Sequence, residues 1–256
     1  MNRWNGKVAI VTGASSGIGK AIATKLVENG MIVAGLARRK GLVDELAAKL
    51  KGAKGELHGV QVNMTNEEEI LKAFEYVAKN LGPVHVLVNS AGISRVSPLT
   101  CGRTDQWKDV LETNVIGLSI ATREAVKSMS VNNVDGHIIH INSVVGHSFR
   151  KTSSAMYGAS KFAVTALTDA LRDELNQAKS KIKITSISPG FVDTEILDRV
   201  SEHSDGLFPM EYVHHFKLNP SLKAEDVADC ALYVLSTPPH VQVHDIILRP
   251  VGETAI

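Results

Sequence analysis

Three side chains in the middle of the chain have the types and spacing that acid–base chemistry requires. Tyr157 and Lys161 are four residues apart, so they share one face if the segment is helical. An unperturbed tyrosine titrates near ~10, and a neighbouring cation lowers that value toward the range where the phenol exchanges a proton near neutral pH. Ser143 follows a predicted strand, at the carboxyl edge where open parallel sheets bind ligands. The Tyr–Lys spacing alone is common by chance, and an exposed helical pair would also show it.

A glycine-rich segment, residues 12–19, follows the first predicted strand and precedes a helix. Gly13 would permit a tight turn, while Gly17 and Gly19 would let the backbone approach a pyrophosphate and let the helix pack on the strand. The spacing is G-x-x-x-G-x-G rather than G-x-G-x-x-G, and a glycine-rich turn without a ligand is the alternative. Its position after the first strand favours a dinucleotide site, formed by Gly13, Ser15, Ser16, Gly17, Ile18 and Gly19.

The end of the second predicted strand distinguishes between the two nicotinamide dinucleotides. An NAD site normally has an acidic residue there, which binds the ribose 2′-hydroxyl. This chain has Ala37, Arg38 and Arg39 instead, and guanidinium groups suit a 2′-phosphate. A solvated basic pair at a strand end is the alternative, but the missing acid together with the two arginines favours NADP(H).

Alternating strand and helix patterns must position these residues. Seven apolar runs predict buried strands at residues 7–12, 31–37, 57–62, 85–89, 137–142, 183–188 and 245–248. Helical patterns cover residues 17–29, 42–51, 67–81, 106–130, 156–178 and 224–235. The alternation predicts an α/β fold with a single doubly wound (Rossmann) parallel sheet of seven strands and helices on both faces. It makes residues 1–256 one dinucleotide-binding domain.

The segment 194–222 is irregular in sequence, and long irregular segments within compact domains are usually lids or binding loops. It therefore predicts a substrate lid, with a surface insertion as the alternative. Its apolar side chains, with Phe191 just before it, would enclose a bulky apolar substrate: Ile196, Leu197, Leu207, Phe208, Met210 and Tyr212. The same side chains could instead fill the core beneath the loop.

The composition is that of an ordinary globular protein, with 44% hydrophobic and 21% charged residues. Lys and Arg number 28 against 27 acidic residues, so the formal charge of +1 gives no reason to expect a nucleic-acid partner. The polar start and short apolar stretches predict neither a signal peptide nor a membrane span, and the two distant cysteines fit a reducing compartment. We expect a cytoplasmic protein. The ten histidines show no metal-ligand spacing, so no metal site is predicted.

Taken together, these motifs make the sequence similar to the short-chain dehydrogenase/reductase family, and the resemblance covers essentially the whole chain. The matching positions are residues 12–19, residues 89–92 (Asn-Ser-Ala-Gly), Asn114, Ser143, Tyr157, Lys161, Pro189, Gly190, Val192 and Thr194. The resemblance implies that Tyr157 exchanges the substrate's proton, that Lys161 lowers the tyrosine pKa and holds the nicotinamide ribose, and that Ser143 hydrogen-bonds the developing alkoxide. It also implies that Asn114 anchors a water that relays protons to Lys161.

The resemblance assigns further contacts and marks some departures. It places the cofactor also against Asn63, Met64, Asn89, Ala91, Gly92, Tyr157, Lys161, Pro189, Gly190, Val192 and Thr194, and the substrate against Ser143, Val145, Tyr157 and Phe191. Ser90 replaces a common Asn, and Asn63 replaces the Asp that often touches the adenine. Ser16 stands where some NADP-dependent relatives have Lys, which leaves phosphate recognition to the two arginines.

Within the family, residues 37–39 and the short ending 239–245 resemble the insect farnesol-dehydrogenase-like branch, which is close to the vertebrate 3-keto and 17-keto steroid reductases. The substrates implied are bulky apolar alcohols and ketones, above all a terpenoid alcohol such as farnesol. A broad carbonyl or ketosteroid reductase is the alternative enzyme. The long predicted helices 106–130 and 156–178 are expected to pair about a two-fold axis in a homodimer or homotetramer.

Two non-enzymatic classes compete with this interpretation. A non-catalytic NADP(H)-binding sensor would be expected to lack Ser143, Tyr157 or Lys161, yet all three are present. A structural protein that merely uses the fold would not bind NADPH, and cofactor fluorescence can test that. The sequence therefore favours an enzyme.

Overall fold

The computed structural model describes residues 1–148 and 154–253 of the chain. Its strands are β1 (Val8–Thr12), β2 (Ile32–Ala37), β3 (Glu56–Gln61), β4 (Val84–Asn89), β5 (His137–Ile141), β6 (Lys183–Pro189) and β7 (Asp245–Leu248). They form one seven-stranded sheet in the order β3-β2-β1-β4-β5-β6-β7, and every neighbouring pair is parallel. The predicted doubly wound sheet is confirmed, and each strand end lies within about one residue of its predicted position.

The helices are α1 (Gly17–Glu28), α2 (Lys40–Lys49), α3 (Glu67–Asn80), α4 (Thr104–Leu111), α5 (Leu118–Val131), α6 (Ala155–Gln177), α7 (Ile196–Glu202), α8 (Met210–Lys217) and α9 (Ala224–Ser236). Local chemistry explains their starts. The Asn66 side chain accepts a hydrogen bond from the Glu69 amide at 3.2 Å, and three glutamates occupy the first turn of α3. Within the described residues, none of the helices combines the length and apolar character that crossing a lipid bilayer requires.

Two helical predictions need correction. The single helix expected at residues 106–130 is α4 and α5 joined by a π-helical turn, Glu112–Gly117. At Gly117 the backbone packs so close to the Met64 carbonyl that a Cβ atom would collide with it. The segment 194–222 is not wholly irregular either, because it contains the short helices α7 and α8.

The side chains of the inner strands alternate between two hydrophobic cores. In β1, Ala9 and Val11 face the core shared with α1 and α9, whereas Val8 and Ile10 face the core shared with α3 and α5. Both faces are therefore covered, as the uninterrupted apolar strands predicted. Because helices cover both faces, a ligand can reach the sheet only at its edges, and the loops at the carboxyl edge are where open α/β sheets bind ligands.

The direction of winding reverses between β1 and β4, which are neighbours in the sheet although they are far apart in sequence. Open α/β sheets bind ligands at such a point. Thr12 joins the two loops there, because its hydroxyl oxygen accepts hydrogen bonds from the Ser90 and Ala91 amides at 3.1 and 3.0 Å. The fold thus brings the glycine loop beside residues 89–92.

Candidate active site

The glycine loop packs closely on the loop that follows β4. Gly13 has a φ of +72°, and a Cβ atom there would lie 2.9 Å from the backbone nitrogen and Cα of Ala91. A Cβ atom on Gly19 would collide with the carbonyl group of Gly13. Glycine at these two positions lets the start of α1 lie directly against the loop, with its free amide groups near the carboxyl edge of the sheet.

The end of β5 and the first turns of α6 bring the predicted acid–base residues together. The side chains of Ser143 and Tyr157 form a hydrogen bond. Lys161 lies one turn farther along α6, and its Nζ atom is 5.7 Å from the centroid of the Tyr157 ring. The same Nζ atom donates a hydrogen bond to the Ile141 carbonyl at 2.8 Å. Ser143, just beyond the end of β5, therefore lies beside the Tyr157–Lys161 pair of α6.

Burial shifts the pKa values of both titratable groups in this cluster. Lys161 is 6% exposed, and its loss of solvent lowers the pKa from 10.5 to about 8. Burial raises the pKa of the Tyr157 phenol, and the hydrogen bond from Ser143 acts in the opposite direction. Positive charge near the phenol would therefore be needed to bring its pKa toward neutrality.

Asn114 lies in the π-helical turn between α4 and α5 and is almost completely buried. Its side chain accepts a hydrogen bond from the Ile93 amide and donates one to the Ile93 carbonyl, both at 2.9 Å. It also donates to the Ser160 hydroxyl at 3.0 Å. The Asn114 side chain thus joins the backbone just after Gly92 to the turn of α6 on which Lys161 lies. π-Helical turns are frequent at functional sites.

A buried polar network that sequence reasoning missed supports this turn of α6. The ring of His140 contacts the hydroxyls of Thr168 (2.9 Å) and Thr122 (3.2 Å), and burial followed by the charge of Lys161 lowers the histidine pKa to about 3. Asn89 donates to the Thr122 hydroxyl at 2.9 Å. Asn89 was predicted to contact the cofactor, but it is 2% exposed and faces α5, so its side chain lies beneath the site.

Two adjoining cavities open at the carboxyl edge of the sheet. The first, here named the glycine-loop cavity, has a volume of about 420 Å³. From the glycine loop it is lined by Gly13, Ser15, Ser16, Gly17, Ile18 and Gly19. The other predicted cofactor residues in its wall are Arg38, Arg39, Asn63, Met64, Ala91, Gly92 and Thr194. It therefore gathers most of the residues predicted to contact a dinucleotide.

The second cavity, here named the Tyr157 cavity, has a volume of about 380 Å³. The predicted substrate residues Ser143, Val145, Tyr157 and Phe191 line it together with Lys161. Pro189, Gly190 and Val192, which were predicted to contact the cofactor, line this cavity and not the glycine-loop cavity. Ile18, Ser90, Gly92, Ser94, Thr194 and Ile196 line both cavities, so a ligand can extend from one into the other.

The remaining wall of the Tyr157 cavity is mostly apolar and comes from α7 and its surroundings. It includes Ile196, Leu197, Val200 and Phe208. Leu207, Met210 and Tyr212, which were also predicted to enclose substrate, are 54–56% exposed and lie outside this wall. A charged pair closes one end, where Glu253 accepts a hydrogen bond from the Phe191 amide at 2.9 Å and pairs with Arg249.

Basic side chains surround the glycine-loop cavity. Arg38 is exposed at the end of β2. The Nη2 atom of Arg39 donates hydrogen bonds to the Ser16 hydroxyl at 2.9 Å and to the Glu195 carboxylate at 3.0 Å. Arg199 on α7 lines the same cavity. The donor set suits an anionic ligand.

Arg95 is a cavity residue that sequence reasoning missed. It is 8% exposed, lines the glycine-loop cavity and donates a hydrogen bond to the Ser94 carbonyl at 3.0 Å. Its nearest carboxylate, that of Asp109, is 3.8 Å away, and burial lowers the pKa of its guanidinium. A lone arginine in a loop carries no motif, so its place in the wall could be found only from the fold.

Proteins with similar sequences are dehydrogenases and reductases. A family profile described as short chain dehydrogenase matches residues 7–205. Farnesol dehydrogenase of Aedes aegypti is 49% identical, over 99% of each chain. Dehydrogenase/reductase SDR family member 11 of Mus musculus is 46% identical, over 98% of this chain and 96% of the mouse protein.

Solved structures share the fold. The closed form of a serine dehydrogenase complexed with NADP⁺ superimposes with a TM-score of 0.86 at 27% identity, over 96% of each chain. A short-chain dehydrogenase/reductase from Burkholderia phymatum in complex with NAD has the same TM-score at 26% identity, over 96% of this chain and 90% of that one. These relatives show both nicotinamide dinucleotides bound in this fold.

The chain is an oxidoreductase. Its doubly wound sheet, its similarity to the dehydrogenases above and the Ser143–Tyr157–Lys161 cluster at the carboxyl edge all support this class. It belongs to the short-chain dehydrogenase family, which the profile match and the full-length relatives both show.

Proposed function

We propose that this chain is an NADP(H)-dependent oxidoreductase that transfers a hydride between nicotinamide and a bulky apolar alcohol or ketone. The observation that carries the proposal is the position of the Ser143–Tyr157 hydrogen bond and Lys161, in the cavity wall where a basic cavity adjoins an apolar one. The basic cavity suits the phosphates of a dinucleotide, and the apolar cavity suits the substrate. A terpenoid alcohol such as farnesol is the proposed substrate.

The roles of the acid–base residues follow from their contacts. The Tyr157 hydroxyl would exchange the proton of the substrate oxygen, and Ser143, which already hydrogen-bonds that hydroxyl, would hold the same oxygen. The ammonium group of Lys161 would favour the phenolate form of the tyrosine. Asn114 and the His140 network act through position, because they fix the backbone and the helix turn around Lys161.

The residues of the glycine-loop cavity fit a 2′-phosphorylated dinucleotide. Arg38, Arg39 and Arg95 offer guanidinium groups, and the end of β2 has no carboxylate that would repel a phosphate. The positions of Asn63 and Met64 suit the adenosine end, and Thr194 and Gly92 lie toward the shared wall. When bound, the nicotinamide supplies or accepts the hydride.

Cofactor choice can be tested by substitutions at the end of β2. Arg38→Ala should weaken NADPH binding by about ten- to hundredfold, the scale of a charge-assisted hydrogen bond, and leave NADH binding almost unchanged. Ala37→Asp should reverse the preference, because an acid would repel the phosphate and bind the ribose hydroxyls. Lys40→Ala is the matched control, since that side chain is paired with Asp44 on the surface of α2. A wild-type preference for NADH would contradict the assignment.

Substrate class can be tested by two neighbouring residues of the lid segment. Phe208 lines the Tyr157 cavity, whereas Leu207 is 56% exposed. Phe208→Ala should lower kcat/KM for farnesol by about tenfold or more and change the value for a small alcohol little, because only a long substrate reaches that wall. Leu207→Ala should leave both values near wild type. Equal losses for the long and the small alcohol would argue against an apolar lid.

A ketosteroid or broad carbonyl reductase is the second candidate. The observation in its favour is the size and apolar wall of the Tyr157 cavity, which would accept a steroid as well as a terpenoid. A keto-steroid assayed beside farnesol separates the two, because the preferred substrate should have the higher kcat/KM with NADP(H). A homodimer or homotetramer is proposed in either case.

A further inference from the structure

One ion pair connects the end of β2 to the segment that carries α7. The Nη2 atom of Arg39 is 3.0 Å from the Oε2 atom of Glu195, and the two residues are 156 positions apart in sequence. The same nitrogen donates to the Ser16 hydroxyl at 2.9 Å. The Ser15 hydroxyl is a third acceptor at 3.5 Å. A guanidinium NH₂ group has only two hydrogens, so these three acceptors already engage both of them.

Helix α7, which follows Glu195, forms a wall of both cavities. Glu195, Arg199 and His203 line the glycine-loop cavity, whereas Leu197 and Val200 line the Tyr157 cavity. A change in the position of this helix would therefore alter the walls of both the Tyr157 cavity and the glycine-loop cavity.

We propose that Glu195 is a cofactor-specificity residue, which competes with the 2′-phosphate of NADP(H) for Arg39. The inference rests on the proposed function, specifically on the preference for NADP(H). Both hydrogens of the Arg39 Nη2 atom are already engaged, so a phosphate oxygen can bind there only by displacing one of these acceptors, and the carboxylate is the one that an anion repels. A dinucleotide without the 2′-phosphate leaves the ion pair in place.

The released carboxylate has a second partner within reach. The Nη2 atom of Arg199, one turn along α7, is 3.9 Å from the same Oε2 atom of Glu195. Exchange of Arg39 for Arg199 replaces a contact between α7 and β2 with a contact inside α7. NADP(H), unlike NAD(H), therefore frees α7 from the end of β2.

Binding constants for both dinucleotides test the competition. Glu195→Gln should tighten NADPH binding by about two- to fivefold more than it tightens NADH binding, the scale expected for a partly exposed ion pair. Asp198→Asn is the matched control, because Asp198 lies on the same helix and pairs with Lys217 instead. In an Arg39→Ala background, Glu195→Gln should favour NADPH over NADH by a smaller factor, because the contested partner is gone and only direct repulsion between the carboxylate and the phosphate remains.

The possible results distinguish a failure of the Glu195 competition from a failure of the NADP(H) preference. Unchanged or weaker NADPH binding in Glu195→Gln would overturn the competition, since it would mean that the carboxylate orients Arg39 for the phosphate or plays no part. An equal gain for NADPH and NADH in the Glu195→Gln variant that retains Arg39 would overturn it too. If the wild-type protein itself binds NADH more tightly, the proposed cofactor fails first, and that result is seen before any variant is compared.

Hydrogen exchange provides a second readout that the affinities do not. With saturating NADP⁺, the amides of α7 should exchange faster than with saturating NAD⁺, because the contact to β2 has been lost. The difference should disappear in Glu195→Gln and persist in Asp198→Asn. Equal exchange with the two cofactors in the wild-type protein would refute the release of α7.

Discussion

Replacement of Lys161 by methionine should stabilise the protein near neutral pH while it removes activity. The lysine is 6% exposed, and burial lowers its pKa from 10.5 to about 8. At about 1.4 kcal/mol for each tenfold change in proton affinity, the charged form is destabilised in the folded state by about 3 kcal/mol. Methionine has a similar length and no charge, so this penalty is absent in the variant.

One favourable contact is lost in the same change. The ammonium group donates to the Ile141 carbonyl at 2.8 Å, and leaving a buried carbonyl without a donor costs about 1–3 kcal/mol. The net effect of Lys161→Met on the free energy of unfolding at pH 7 is therefore a gain of about 0–2 kcal/mol. A functional lysine that costs stability is expected where activity depends on a buried charge.

The same pKa shift predicts how the stability difference between wild type and Lys161→Met varies with pH. The folded-state pKa lies below the unfolded one, so between about pH 8 and pH 10.5 the unfolded state binds more protons than the folded state. The wild-type protein should therefore gain stability relative to Lys161→Met across this range, by up to about 3 kcal/mol. The order of stability of the two proteins should reverse as pH rises.

Urea unfolding at a series of pH values, followed by the fluorescence of the buried Trp4, measures this difference. Lys72→Met is the matched control, because the Lys72 side chain is 72% exposed and its removal should leave a difference that hardly varies with pH. A difference between wild type and Lys161→Met that stays constant from pH 7 to pH 10.5 would refute the reasoning.

Three further changes test other parts of the account. Tyr157→Phe should lower kcat by at least about two orders of magnitude with little change in NADPH affinity, and turnover within tenfold of wild type would remove Tyr157 from the proposed chemistry. Asn114→Ala should lower the free energy of unfolding by about 1–3 kcal/mol, measured in urea, because the partly buried Ile93 amide and carbonyl and the buried Ser160 hydroxyl lose their partner; an unchanged stability would contradict the positioning role of Asn114. Ile116→Arg, at a position 54% exposed beside α4 and α5, should convert a dimer seen by light scattering into a monomer, and a wild-type protein that is already monomeric at micromolar concentration would contradict the proposed assembly.

Much of the fold could be predicted from the sequence because its inner strands are buried on both faces. Such strands are uninterrupted apolar runs, and the glycine loop identifies which run comes first. The acid–base cluster could be predicted for a related reason. Tyr157 and Lys161 are close in sequence on one helix face, and Ser143 stands at a strand end, so their meeting requires only the order of elements.

The remaining features depend on contacts that have no local pattern. The π-helical turn Glu112–Gly117 contains no proline that would mark a break, so residues 106–130 looked like one helix. Asn89 follows the family motif, but the hydroxyl of Thr122 turns its side chain away from the cavity. The pairing of Arg39 with Glu195 joins distant segments and becomes visible only when the sheet has been assembled.

The rate of farnesol oxidation by the wild-type protein tests the central claim most directly. Initial rates would be followed by the absorbance of the reduced nicotinamide, with NADP⁺ and with NAD⁺, for farnesol and for ethanol at matched concentrations. We expect kcat/KM to be highest for farnesol with NADP⁺, with a preference over NAD⁺ of about ten- to hundredfold. Equal values for farnesol and ethanol, or a higher value with NAD⁺, would contradict the account.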